Sequence, residues 1–71
     1  MIFTKKSNYH AESSCGRYTI CRSNNVAGGA YTATRNGKPD VILSVVRFDD
    51  EADRTRAYRE AVAVCEGDSR V

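Results

Sequence analysis

The chain contains no tryptophan, one proline, one histidine and an odd number of cysteines among its 71 residues. No apolar run approaches the ~18 residues a membrane-crossing helix needs; the longest, Val41 to Val46, is interrupted by Ser44. The opening Met1-Ile2-Phe3-Thr4-Lys5-Lys6 is too short and too polar for a secretory leader, so the expected location is the cytoplasm, without membrane attachment. Three cysteines, Cys15, Cys21 and Cys65, in a chain read as cytoplasmic argue against a disulfide framework.

The scarcity of chemistry-bearing residues is as informative. His10 is the lone imidazole, and no second base stands near it in sequence. Cysteine-based catalysis would require His10 to meet a thiol in space and a third group to orient it. His10 and the three cysteines form an acceptable donor set for structural zinc, but no two cysteines are spaced to present both thiolates from one turn. The acidic run Asp49-Asp50-Glu51 with Asp53 lacks the spaced oxygens and central glycine of a calcium loop. Gly28-Gly29 lacks the flanking residues of a phosphate-binding loop and is read as a flexible connection between strands. The expectation is a protein with no catalytic residue, no cofactor and no bound metal, acting by binding.

What is present is an ordinary soluble composition, 41% hydrophobic and 28% charged, enough for one domain over residues 1–71. Charge is unevenly spread. Residues 1–48 carry seven cations against two carboxylates, and residues 49–71 carry four against seven. A division of this kind favours partners of definite charge.

Alternating β-branched and aromatic residues mark the strands. Arg17 to Arg22 forms one, with Tyr18 and Ile20 on one face and Arg17, Thr19 and Cys21 on the other. Ser23-Asn24-Asn25 and Gly28-Gly29 bracket a loop, and Ala30 to Arg35 forms the next strand. Asn36-Gly37 signals a hairpin, since both residues tolerate positive φ. Val41 to Phe48, apolar on both parities, reads as a central or well-covered strand. Residues 2–12 supply a further strand, turning at Ser13-Ser14-Cys15-Gly16. A helix follows over about 50–66, capped by Asp49 or Asp50 and ended by Gly67, with Asp68 to Val71 a frayed tail. Its apolar stripe is Ala57, Tyr58, Ala61, Val62, Val64 and Cys65.

The expected architecture is α+β: an antiparallel meander of three to four strands over about 2–48, with one C-terminal helix on one face. Tyr18, Ile20, Tyr31, Ala33, Val46 and Phe48 would meet Tyr58, Ala61 and Cys65 in the core. The opposite face would be polar and basic through Arg17, Thr32, Thr34 and Arg47, with Arg22, Arg35 and Lys38 near its ends. Together with Arg56 and Arg59 on the helix, these cations are the candidate binding residues. An open sheet edge is also a template for homodimer formation.

Four segments carry a resemblance: Cys15-Gly16-Arg17-Tyr18-Thr19-Ile20, Tyr31-Thr32-Ala33, Val45-Val46-Arg47-Phe48-Asp49, and the alanine-rich helix from Ala57 to Cys65. From Tyr9 to Glu66 the chain resembles small proteins of bacteriophages and prophages of Gram-negative bacteria. That resemblance implies a non-enzymatic inhibitor acting in a host bacterial cell on a host protein or ribonucleoprotein complex, as anti-CRISPR proteins do. The strand-strand-strand-helix order is also similar to integrase arm-binding domains and to plant ethylene-response-type domains. That likeness implies the alternative, a DNA-binding module that places its sheet in the major groove; against it stands the absence of tryptophan.

Overall fold

The computed structural model describes residues 1–25 and 28–70. Its elements run β1 (Phe3–Ser7), β2 (His10–Ser13), β3 (Tyr18–Asn25), β4 (Gly28–Arg35), β5 (Val41–Phe48) and α1 (Glu51–Ser69). The strands form one antiparallel meander in chain order, β1-β2-β3-β4-β5. The class is the α+β arrangement expected, but the sheet has five strands rather than three or four.

The additional strand comes from residues 2–12, which fold as a hairpin. The chain reverses between Ser7 and His10, where the Tyr9 N–H donates to Ser7 Oγ at 3.2 Å. A register shift between Lys5 and Ser7 breaks the β1 alternation. Lys5 and Lys6 further mask the strand pattern, because only one face of this short strand is covered. The Arg22 N–H donates to the Tyr9 carbonyl at 2.8 Å, tying the hairpin tip to β3.

Alternation sends Tyr18 and Ile20 of β3, Tyr31 and Ala33 of β4, and Val46 and Phe48 of β5 to the helix side, all buried. Ala57, Ala61 and Cys65 recur every four residues along α1 and are fully buried against them. Such small side chains let the helix backbone lie close to the sheet. Tyr31 makes a tilted contact with Phe48 (centroids 5.4 Å apart) and an edge-on contact with Tyr58 (5.3 Å). Aromatic pairs of this kind contribute about 0.5–1.5 kcal/mol beyond area burial. The core is the one the alternation and the helical stripe predicted.

The glycine pair is strand, not linker. Gly28 and Gly29 open β4 and pair with Asn25 and Asn24, so both flanking strands run further than expected. The centre of the expected loop, residues 26 and 27, lies outside the described residues. Gly28 has φ +133°, and a Cβ there would fall on the Phe48 carbonyl. A Cβ on Gly29 would strike the Ser23 carbonyl and, at 2.6 Å, the Phe48 ring. Close approach of three strands, not flexibility, explains the pair.

Two turns also differ from expectation. Asn36 and Gly37 do not adopt positive φ. Instead Asn36 clamps the β2–β3 turn: its N–H donates to the Arg17 carbonyl (2.8 Å), its Nδ2 to the Gly16 carbonyl (3.1 Å), and its Oδ1 accepts from Thr19 Oγ1 (2.9 Å). The β4–β5 connection closes through the Gly37 N–H donating to Asp40 Oδ1 at 2.7 Å. Gly16 does take the tight position, at φ +74°.

The helix begins as read, with Asp50 as N-cap accepting the Asp53 N–H at 2.9 Å. It does not stop at Gly67. Asp68, the next residue, accepts the Tyr18 hydroxyl at 2.7 Å and Arg35 Nη1 at 2.8 Å, and these bonds hold the last turn in helical form through Ser69. Asp68, expected in a frayed tail, locks the helix end to β3–β4, while Val71 of that tail lies outside the described residues.

Strand β5 is not central. It is the last strand of the sheet, and α1 covers only one of its faces. Ile42 and Val45 are therefore 66% and 53% exposed. No helix among the described residues is long and apolar enough to cross a membrane.

Candidate functional site

Helix α1 packs over β4 and β5, touches β3 lightly, and does not reach β1 or β2. The helix side of the sheet is thus roofed at one end only. Where the roof stops, a groove of about 470 Å³ opens between α1 and the β1–β2 hairpin. Its floor is apolar: Phe3, Ala11, Ile20 and Tyr31, with Tyr58 from the helix. Tyr58 is only half-buried, and desolvation raises its phenol above the ordinary tyrosine pKa.

The groove's rim is cationic. Lys5 projects from β1, Arg22 from β3 and Arg54 from α1. Even residues of β3 face the helix, so Arg22 follows Tyr18 and Ile20 onto this side. Its guanidinium stacks 5.8 Å from the Tyr9 ring centroid and 5.9 Å from that of Phe48, while Nε donates to Asn24 Oδ1 at 3.0 Å. One carboxylate serves two of the rim cations: Glu51 lies 3.5 Å from Arg22 and 3.2 Å from Arg54. Lys5 has no carboxylate partner among the described residues. The rim therefore keeps a surplus of positive charge beside an apolar floor.

The arginines expected on or near the open sheet face are divided between its two sides. Arg22 belongs to the groove. Arg35, expected near an end of the open face, lies on the helix side bound to Asp68. The bonds from Tyr18 and then Arg35 hold the Asp68 carboxyl below the usual range, and the same contact raises the Tyr18 phenol. Arg56 is held by Asp53 (2.7 Å) and Glu60 (2.7 Å), which lowers the Asp53 pKa and raises that of Arg56. Its Nη2 also donates to the Arg47 carbonyl at 3.0 Å. Arg59 is exposed on α1, and Lys38 is exposed in the β4–β5 connection.

Of the candidate arginines only Arg47, opposite Ala30, stands on the open face; Arg17, at the β2–β3 turn, lies beside Arg35 and Asp68. Thr32, Thr34, Ile42 and Val45 fill its β4–β5 part. This face is less basic and more apolar than the sequence implied, because period-2 geometry sends Arg22 and Arg35 to the helix side. Sequence reasoning also missed Lys5 and Arg54 as site residues. Nothing in their local spacing marks them, since the groove joins segments about 50 residues apart.

The thiol and imidazole groups are dispersed. His10 sits opposite Cys21 across β2 and β3, with Nε2 3.4 Å from Glu12 Oε1. Among the described residues no hydrogen bond joins the ring to the Cys21 thiol, and no three His, Cys, Asp or Glu side chains are gathered as for a metal ion. Cys65 lies in the core, where burial raises its thiol pKa. Cys15 is exposed at the β2–β3 turn, where its bond to Ser13 Oγ (3.3 Å) and the neighbouring Arg17 lower its pKa. The chain matches no family model, no curated protein and no solved structure.

Proposed function

We propose that this protein is a non-enzymatic binding module whose groove receives an acidic segment of a protein partner, anchored by an aromatic or aliphatic side chain. The observation that carries this reading is a groove of about 470 Å³ with an apolar floor and three rim cations, two of which share the one carboxylate, Glu51. Concave, largely apolar sites with a few placed polar groups are the usual form of a recognition site. Arginine at such a rim forms directional bonds to carboxylates, and Lys5, without a carboxylate partner among the described residues, adds a further charge. In the inhibitor form of this reading, the segment belongs to a host protein or ribonucleoprotein complex, and its capture blocks an assembly. The likeness to small phage and prophage proteins supports that form. The DNA-binding alternative is weakened by the ion pairs of Arg35 and Arg56 and by the apolar residues on the open face.

The test is a fluorescence-polarisation titration with two labelled peptides, one placing Phe and Leu between Glu residues and one with Lys replacing each Glu, beside a duplex DNA at low salt. The acidic peptide should bind, and Lys5→Glu with Arg54→Glu should weaken it at least roughly tenfold, as loss of two charge-assisted contacts implies. Equal binding of both peptides, or no effect of the double substitution, would refute the groove assignment. Salt-dependent retention of DNA without peptide binding would favour the alternative.

A further inference from the structure

The free edge of β5 carries a symmetry that neither the groove nor the charge division explains. The register shift between Ala33 and Thr34 places Ser44 opposite Ala33 and Ile42 opposite Thr34, leaving Leu43 as an extra residue. Beyond this bulge the alternation changes phase. Ile42, Val45 and Arg47 point to the open face beside Thr34, Thr32 and Ala30. Val41, Ser44 and Val46 point to the helix side beside Arg35, Ala33 and Tyr31. Leu43 is partly buried against the core, and Asp40 immediately precedes β5. From Val41 to Val46 the two faces are therefore arranged as a palindrome about the Leu43–Ser44 bond, with Asp40 and Arg47 as the flanking residues.

We propose that β5 pairs with the β5 of a second copy of this chain, antiparallel about a twofold axis at Leu43–Ser44, to give a continuous ten-stranded sheet. In this register Ile42 of each copy stands opposite Val45 of the other, and Val41 opposite Val46, always on matching faces. Asp40 of each copy stands opposite Arg47 of the other, so two cross-strand ion pairs form, as an isologous interface requires. Sliding the pair by one residue sets open-face residues against helix-side ones, and sliding it by two takes Arg47 away from Asp40. Face matching and the charge pairs together thus favour this register.

The edge is otherwise exposed in a way that favours pairing. Val41, Ile42 and Val45 are 39%, 66% and 53% exposed on the last strand of the sheet. A long apolar edge strand is a template for another strand. Asp40 and Arg47 have no ion-pair partner among the described residues. Asp40 donates none of its capacity to charge: one oxygen accepts the Gly37 N–H, and the other is available to a guanidinium. The Arg47 carbonyl accepts from Arg56 Nη2 at 3.0 Å, a bond within the chain that strand pairing here must share or displace. The groove lies at the β1–β2 end, so pairing at β5 leaves both grooves open at the far ends of the joined sheet.

Sedimentation velocity of the full chain, from roughly 1 to 500 μM, tests this. The expected species is a dimer of the 7.9 kDa chain. Arg47→Asp and Asp40→Arg should each weaken it roughly tenfold or more, since each puts two like-charge pairs directly opposite. The double variant Asp40→Arg/Arg47→Asp should restore it, because both pairs are rebuilt with signs exchanged. Val45→Lys, on the exposed face, should also give monomer, with circular dichroism confirming the fold of every variant. A wild type that stays monomeric overturns the proposal, as does a dimer that neither charge reversal weakens or that the double variant fails to recover. Peptide binding at the groove is unaffected by these changes, so its loss or retention reports on the groove alone.

Discussion

The half of the sheet beneath the helix and the half beyond it are built on different terms. Under α1, β3, β4 and β5 present aromatic and β-branched side chains to a helix face made of Ala57, Ala61 and Cys65, and these residues are buried together. Beyond the helix, β1 and β2 offer Phe3, Ala11 and Ser13, too few apolar atoms to draw a second element over them. The difference teaches how a chain of this size makes a site: one helix covers only part of a five-strand sheet, and the uncovered helix-side strip becomes the groove.

Substitutions in the two halves should separate them. Phe48→Ala, in the covered half, should cost about 3–5 kcal/mol in urea unfolding, a large share of the stability such a domain has. Phe3→Ala, at the hairpin, should cost only about 1–2 kcal/mol, because Phe3 is half-buried. Equal costs would break the comparison and make the hairpin part of the core.

Acid should act on the covered half through its locks. Asp68 and Asp53 have lowered pKa values in the folded chain, chiefly from Tyr18 and Arg56 respectively. A depressed carboxylate contributes stability that is full above its unfolded value, about 4, and is lost as pH falls through the folded one. Asp68→Asn should therefore flatten the fall in stability below about pH 4 and leave the hairpin signals unchanged. Tyr18 has a raised pKa, so its contribution is complete below about 10 and is lost as pH rises through its folded value.

The smallest effect sharpens the helix end. Gly67 lies inside α1 without positive φ, and a Cβ there meets nothing within 4 Å. Gly67→Ala should stabilise the protein by about 0.5–1 kcal/mol, seen as a higher urea midpoint. Destabilisation would mean that the helix ends at this glycine after all.

Much of the covered half was legible in the sequence. Tyr18, Ile20, Tyr31, Ala33, Val46 and Phe48 alternate within uninterrupted strands, and the four-residue spacing of Ala57, Ala61 and Cys65 identifies their partner face. The hairpin was not legible, because Ser7-Asn8 is a weak turn signal and Lys5-Lys6 hides a strand only one face of which is covered. The end of the helix was misread at Gly67 because the residue that extends it, Asp68, is held by Tyr18 and Arg35 from distant strands.

The sequence by itself determined the α+β class, the core and the start of the helix. Each follows from periodicity and capping, which act between residues a few positions apart. Only the tertiary structure decided which arginines stay available, where the groove opens and which edge is bare. Those properties depend on contacts between Arg22 and Glu51, or between Arg35 and Asp68, which no local pattern encodes.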